Sequence, residues 1–432
     1  MAMVVKNNMS ALSTLNTLNK NTNALSKSLQ KVSSGMKINS AADDASGYAI
    51  SERMRVQIRS LDQANSNAQN GSSMMKVAEG AVSSTVEILK TLKEKAVNAA
   101  NDTNTDADRA TIQKELDQSI DQINDNANVT FNGQYLVDGS HNKKVTQTTT
   151  AMTNTSLDTK TIDTSALTDL KARSGDSLNI QETDTVTVSY VKDGKTYTSS
   201  MKVGTNSLKQ VIEGLTTNEI KVGTGTSLIG KDSSTNEVYT ADGKSAITLT
   251  AKDSGVKNQI AGFTIYITGN DGQGRKSANA ALDAFSESIR AENTSADNSI
   301  VMQIGTKAGQ TIKAGLSDMK ATALGLQGFN GDTLSVGNQE KANAAINVID
   351  SAIQKALDQQ TTIGAVESRL EYTQANLTTA SENVTAAESV IRDADMAKEM
   401  TEYTKNNVLM QAAQSMLSQA NQSSSNVLSL LQ

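Results

Sequence analysis

LDQANSNAQNGSSMMKVAEGAVSSTVEILKTLKEKA, residues 61–96, places Leu61, Ala64, Ala68, Gly71, Met75, Ala78, Val82, Thr85, Leu89, Leu92 and Ala96 at alternating steps of three and four. That spacing is a heptad seam, the apolar stripe of a helix that must lie against another helix. At 1.5 Å per residue the segment extends roughly 50 Å. Upstream, Ala11, Leu15, Leu18, Thr22, Leu25, Leu29, Val32 and Met36 repeat the pattern. Near the other end it returns at Ile346, Ile349, Ile353, Ala356, Gln360, Ile363, Glu367, Leu370, Gln374, Leu377, Ala380, Val384, Ala387 and Ile391, with three polar slots. Beyond Met396 it continues more loosely through Met400, Tyr403, Leu409, Ala413, Met416 and Ala420 to Val427, Leu428, Leu430 and Leu431.

Composition supports long helices. The 432 residues contain no Pro, no Cys and no Trp. Every forced helix break is therefore missing, and disulfides, thiolate metal sites and a thiol nucleophile are excluded. A net charge of -6 gives no basic field for nucleic acid or an anionic membrane, so neither is an expected partner. MAMVVKNNMS at the start has too short an apolar run for a signal peptide, and no stretch approaches a membrane span.

Between the helical parts the texture changes. From about Lys143 to Asp297 the chain is rich in Thr, Ser, Gly and Asp, with strand-like runs at Thr185 to Ser189, Ile247 to Thr250 and Phe263 to Thr268. Asp193-Gly194, Asp242-Gly243 and Asp271-Gly272 supply turns. A smaller β piece is expected near 299–315, and a shorter helix after a Thr105/Asp108 capping box, through Ile112, Leu116, Ile120 and Ile123. Phe131-Asn132-Gly133 marks a turn. The expected fold is mainly α, a coiled-coil-like helical rod built from N- and C-terminal segments with a β-rich α+β insert.

An apolar seam cannot hide itself, so the two ends are expected to pair with each other. The extreme ends are rich in Ser, Asn and Gln and have little core of their own, so copies of the chain are expected to complete them. The residues expected in that shared polymerisation core are Leu15, Leu18, Leu25, Leu29, Val32, Met36, Met400, Leu409, Met416, Val427, Leu428, Leu430 and Leu431.

SSGMKINSAADDASGYAISERMRVQIRSLDQANSNAQNGSSMMKVAEG, residues 33–80, closely resembles the N-terminal signature of bacterial flagellin. AESVIRDADM at 387–396, QANQSSSNVLSLL at 419–431 and MQIGTKAGQTIKAGLSDMKATALGLQG at 302–328 are similar to the family's C-terminal portion. The resemblance implies a structural subunit of an extracellular flagellar filament, exported unfolded through a type III channel without a signal peptide and polymerised beneath a cap. Its implied partners are further copies of itself, an export chaperone that binds the C-terminal helical segment, the cap protein and hook-junction proteins. No cofactor is implied. In family terms 1–40 with 392–432 form the inner core, 41–142 with 294–391 the outer helical shell, and 143–293 the variable insert facing solvent.

The resemblance also implies a patch facing Toll-like receptor 5 at Thr91, Glu94, Lys95, Val97 and Glu115. Thr91 and Lys95 stand where stimulating relatives carry an arginine and a leucine. Loss of a bidentate donor and of an apolar anchor predicts a weakened ligand.

Two other functions compete. A hook-filament junction protein would share the termini, but the strand-rich insert and the QANQ ending favour flagellin. An enzyme is disfavoured because its motifs fail. Asp102, Asn104 and Asp106 begin a calcium loop that lacks its Gly at Ala107 and its Glu at Gln113. GNDGQGRKS at 269–277 has Arg275 wedged before Lys276, and reads as a hairpin or a strand-to-helix turn. Gly223 and Gly225 lack the third glycine of a dinucleotide loop. His141, the only histidine, sits in a polar stretch and is expected to be solvated.

Overall fold

The structure, a computed structural model, describes residues 8–223 and 225–430, with the side chains at 424 and 427–430 outside that description. Four helices carry the terminal parts: α1 Met9–Ser34, α2 Ala45–Ala99, α7 Gln339–Arg392 and α8 Met396–Leu430. Between them lie α3 Asp106–Ala127, α4 Leu208–Leu215, α5 Lys276–Leu282 and α6 Ala321–Leu324. The chain divides into two compact units.

The first unit holds the chain up to Ala68, Gln303–Gln310, and the chain from Tyr372 onward. Here α1 runs antiparallel to α8. Asn21 donates to the Leu409 carbonyl at 3.1 Å, Asn406 donates to Ser28 Oγ at 3.0 Å, and Lys31 pairs with Glu399 at 3.5 Å. The start of α2 packs on the end of α7 through Leu61, Ala64 and Leu377, with Ala380 and Val384 alongside. Arg55 meets Glu388 at 3.6 Å and Ser381 donates to Asp62 at 3.0 Å, one residue back along α7 for each residue forward along α2.

The second unit comprises Gln69–Met302 and Thr311–Glu371. The same step-for-step antiparallel register holds within it, where Lys76 meets Glu367 at 3.5 Å and Lys93 meets Asp350 at 2.6 Å. Every seam position expected between Leu61 and Ala96 is buried. α3 begins with the expected capping box: Thr105 N–H donates to Asp108 at 2.9 Å and Asp108 N–H returns to Thr105 Oγ1 at 3.3 Å. Leu116, Ile120 and Ile123 are buried along it.

The α7 seam differs from expectation at every second position. Ile349, Ala356, Ile363, Leu370 and Leu377 are buried as read, whereas the positions between them are Ala352, Gln359 and Val366, each one residue before the polar or apolar slot expected. Gln359 accepts from Ser317 N–H at 3.1 Å.

Just before the insert, strands β1 Thr130–Phe131 and β2 Gln134–Tyr135 pair around Asn132-Gly133. β4 Thr185–Lys192, β5 Lys195–Lys202 and β10 Ile260–Thr268 form a sheet in the order β10-β4-β5. β3 Ala151–Asn154, β6 Ile220–Val222, β9 Ile247–Ala251 and β11 Phe285–Ile289 form a second, in the order β11-β3-β9-β6. β7 Leu228–Lys231 pairs with β8 Glu237–Tyr239, and β12 Ile300–Gln303 with β13 Thr311–Ala314, which is the small β piece expected near 299–315. Val186, Val188, Ile247, Leu249, Phe263, Ile265 and Ile267 share one buried core with Val211 and Ile212 of α4. Alternation explains this, since one face of each strand is apolar.

Two glycines fix the insert to its surroundings. At Gly262, where β10 shifts register between Ile260 and Phe263, φ is 79°, and a Cβ would sit 2.6 Å from Val348 Cγ2 and 2.8 Å from the Ala344 carbonyl of α7. Only glycine allows that approach. Asp193 and Gly194, both at positive φ, make the two-residue turn between β4 and β5. Phe329 N–H donates to Asp193 at 2.7 Å, and Lys195 pairs with Asp332 at 3.0 Å, so the hairpin tip is latched to the loop at 328–332.

Candidate assembly interface

The pairing of α1 with α8 leaves a division of residues that heptad spacing alone does not give. On α1 the side facing α8 is Ala11, Thr14, Leu18, Asn21, Leu25, Ser28 and Val32, all half-buried except Ser28, which is buried. Expected seam residues Leu18, Leu25 and Val32 lie there. Leu15 and Leu29, expected beside them, lie outside it, 41% and 52% exposed, with Leu12 at 51%. Thr14, Asn21 and Ser28 take the alternate places, and Asn21 and Ser28 are hydrogen-bonded to α8.

The same partition holds on α8. Tyr403, Asn406, Met410, Ala413 and Leu417 turn inward, while Met400, Val408, Leu409 and Met416 are exposed. Met400, Val408 and Leu409 line an open groove with Thr401, Thr404 and Lys405. Leu431 lies outside the described residues, as do the side chains of Val427, Leu428 and Leu430. Of the expected polymerisation core, then, Leu15, Leu29, Met400, Leu409 and Met416 form outward stripes, and Leu18, Leu25, Val32 and Met36 are at least half covered within the chain. An uncovered apolar stripe on a long helix leaves free energy unrealised until a partner covers it.

One residue that spacing did not single out joins the two helical layers of the first unit. Arg392 is 5% exposed. Its guanidinium donates to Glu52 at 2.7 Å and to Ser51 Oγ at 3.3 Å, and lies 5.4 Å from the Tyr48 ring centroid. Hydrogen bonding from Arg392 holds the Glu52 carboxyl below its ordinary range. The main chain adds Lys37 N–H to the Arg392 carbonyl at 2.8 Å and Ala394 N–H to the Gly35 carbonyl at 2.9 Å. The α1–α2 and α7–α8 links thus cross as a short antiparallel bridge. Its only signal in the sequence was its place in the AESVIRDADM stretch.

The residues expected from the resemblance to face a receptor lie on α2 and α3 in the second unit. Lys95 of α2 pairs with Glu115 of α3 at 2.8 Å, Thr91 and Glu94 are exposed, and Val97 is 51% exposed. Thr91 spends its hydroxyl on the Glu87 carbonyl at 3.1 Å.

The sequence decoys resolve into structural roles. Arg109 donates to the carbonyls of Ala99 at 2.9 Å and Asn101 at 3.1 Å, tying down the turn that carries Asp102, Asn104 and Asp106. Arg275 grips buried Asp184 through two bonds of 3.0 and 2.9 Å, and 269–277 is a tight turn leading from β10 into α5, the strand-to-helix member of the two readings expected. His141 is half-buried rather than freely solvated, with Nδ1 3.4 Å from the Asn298 carbonyl. Among the described residues no group of three or more His, Asp or Glu could hold a metal ion, and no helix is long and apolar enough to cross a membrane.

Long paired helices with outward apolar stripes define a structural subunit. Comparison with known proteins places it further. Residues 5–142 match the bacterial flagellin N-terminal helical region and residues 346–431 the bacterial flagellin C-terminal helical region. The chain belongs to the bacterial flagellin family. A flagellin of Clostridium tyrobutyricum is 37% identical over 421 residues, covering 97% of this chain and 99% of its own. A Bacillus subtilis flagellin is 31% identical over 432 residues, covering 99% of this chain and 100% of its own. The flagellar filament 33 kDa core protein of Treponema phagedenis is 29% identical over 431 residues, covering 99% and 100%. Among solved structures, FliC from Burkholderia pseudomallei is 17% identical with a TM-score of 0.25, covering 69% of this chain and 99% of its own. The junction protein FlgL from Legionella pneumophila is 16% identical with a TM-score of 0.34, covering 79% and 99%. At those TM-scores neither superposition constrains the fold.

Proposed function

We propose that this chain self-associates into an extracellular flagellar filament through the outward stripes of α1 and α8. The observation that carries this is the partition on α1: Thr14, Asn21 and Ser28 face the intrachain partner while Leu12, Leu15 and Leu29 face away. A monomer selected to stand alone would bury the leucines. In this reading 1–40 with 392–432 form the inner polymer core, 41–142 with 294–391 the surrounding helical shell, and 143–293 the solvent-facing insert. Export is through a flagellar type III channel, unfolded, with a chaperone on the C-terminal helix and a cap at the growing end. The relatives' names favour a filament over a hook-junction role.

Removing about thirty residues from either end is expected to leave a folded, protease-resistant protein that no longer polymerises on filament seeds. Normal filaments from such a truncation would sink the proposal. The receptor patch supports a weak ligand of Toll-like receptor 5, because Lys95 is engaged by Glu115 and Thr91 offers no guanidinium. A reporter-cell assay on purified monomer tests this; strong signalling at low concentration would refute it.

A further inference from the structure

The sheet β10-β4-β5 has two chemically opposite faces. Val186, Val188, Phe263, Ile265 and Ile267 turn into the insert's core. The pleat sends the intervening residues to the other side. Cross-strand register then aligns them in rows: Thr264 with Ser189 and Thr198, Tyr266 with Thr187 and Ser200, and Thr268 with Thr185 and Lys202. Apart from Lys202, every member carries a hydroxyl. The Ser189 and Thr198 hydroxyls already satisfy each other at 3.0 Å. Thr187 and Tyr266, in the next row, are open to solvent in part.

Of these, Thr187, Ser189, Thr264, Tyr266 and Thr268 floor a cleft of about 750 Å³, within the range of small-molecule sites. One wall is the end of α5, with Asp283; the other is the first turns of α7, with Glu340, Asn343 and Asn347. Asn347 braces the walls, donating to the Phe263 carbonyl at 3.3 Å and hydrogen bonding to Asp283. The Tyr266 ring is 47% exposed on the floor, and its hydroxyl packs where Gly274 has no Cβ.

The chemistry of the lining selects a class of ligand. No Lys, Arg or His is among the described lining residues, while Asp102, Asp283 and Glu340 are, so phosphates and other anions are repelled. Apolar side chains are few and scattered, so a purely hydrophobic molecule gains little. What the site offers is hydroxyls, carboxamides that both donate and accept, carboxylates that accept from pairs of hydroxyls, and one aromatic face. We propose that this cleft binds a neutral oligosaccharide, with Tyr266 as the platform for a sugar ring and Asp283, Glu340 and Asn343 as hydrogen-bonding partners. The proposal does not depend on the polymerisation reading.

The test is saturation-transfer-difference NMR with isothermal titration calorimetry on the full-length protein. The probes are maltotriose, xylotriose, mannotriose and N-acetylchitotriose, with spermidine as a cationic control. At least one trisaccharide is expected to bind with Kd near or below about 1 mM. Tyr266→Ala and Asn343→Ala, the second on an exposed helix surface, are each expected to weaken it at least tenfold with unchanged circular dichroism. Failure of all four sugars overturns the proposal, as does binding that survives both substitutions. Binding of spermidine without any sugar assigns the cleft to cations and overturns it equally.

Discussion

Replacing Leu15 and Leu29 together by Ala separates the two roles a helix stripe can have. Each substitution removes about three methylene equivalents, at about 0.8 kcal/mol apiece when fully buried. With Leu15 41% and Leu29 52% exposed in the monomer, roughly half of that gain is still unrealised. The expected loss on assembly is therefore about 1.2 kcal/mol per leucine, or about 2.4 kcal/mol per subunit for the pair. At 1.4 kcal/mol per factor of ten, the critical concentration for seeded growth should rise about 50-fold. Monomer stability should fall by the other half, about 1.2 kcal/mol per leucine, below the roughly 2–5 kcal/mol of a fully buried Leu→Ala change, and Ala keeps the helix propensity. The assay is sedimentation of seeded filaments across a concentration series, with urea unfolding of the monomer beside it. An unchanged critical concentration, or a monomer destabilised as by two core cavities, would refute the partition of α1 into inward polar and outward apolar residues.

Other perturbations probe other joints. Arg392→Ala should cost about 1–2 kcal/mol from the lost stack on Tyr48 and the buried stem alone, read as a lower urea midpoint for the first unit, with Arg392→Lys recovering only part of it. Gly194→Ala should destabilise the insert by about 1–3 kcal/mol, because its backbone has φ 74° and the new Cβ meets the Gly328 nitrogen at 2.5 Å; hydrogen exchange in β4 and β5 should rise with it. Asp297 is held down to about 2 from the ordinary 3.8, chiefly by the hydrogen bond from Lys313. Its stabilising effect is present above pH 3.8 and lost as pH falls towards 2, and carboxyl NMR should show that midpoint moving back up in Lys313→Met. Asp283 behaves oppositely: burial raises it to about 6, so the folded state favours its proton, and this group's contribution to stability should grow as pH falls from 6 towards 3.8. Asp283→Asn should abolish that slope in urea titrations.

The paired-helix architecture was readable because one stretch, Leu61 to Ala96, has an apolar or small residue at every seam place except Thr85. The seam of α1 was only half readable. Leu15 and Leu29 are more hydrophobic than Thr14 and Ser28, so spacing prefers them, yet hydrophobicity locates a stripe without saying which neighbour covers it. The same ambiguity misplaced alternate positions of α7, where Ala352, Gln359 and Val366 pack closest. Strands at 185, 247 and 263 announced themselves by alternation, but β10 pairs with β4 across some seventy residues, a partnership set by the shared core. The hydroxyl-floored cleft depends on that partnership and on α7, so no local motif could announce it. Arg392 was invisible for a similar reason, since its partners Ser51, Glu52 and Tyr48 are more than three hundred positions away.

The half-polar face between α1 and α8 has a kinetic side. Separating those helices wets Leu18, Leu25 and Val32, but also Thr14, Asn21 and Ser28, side chains that water accepts readily. A pair held in this way opens at lower cost than a wholly apolar coiled-coil seam would.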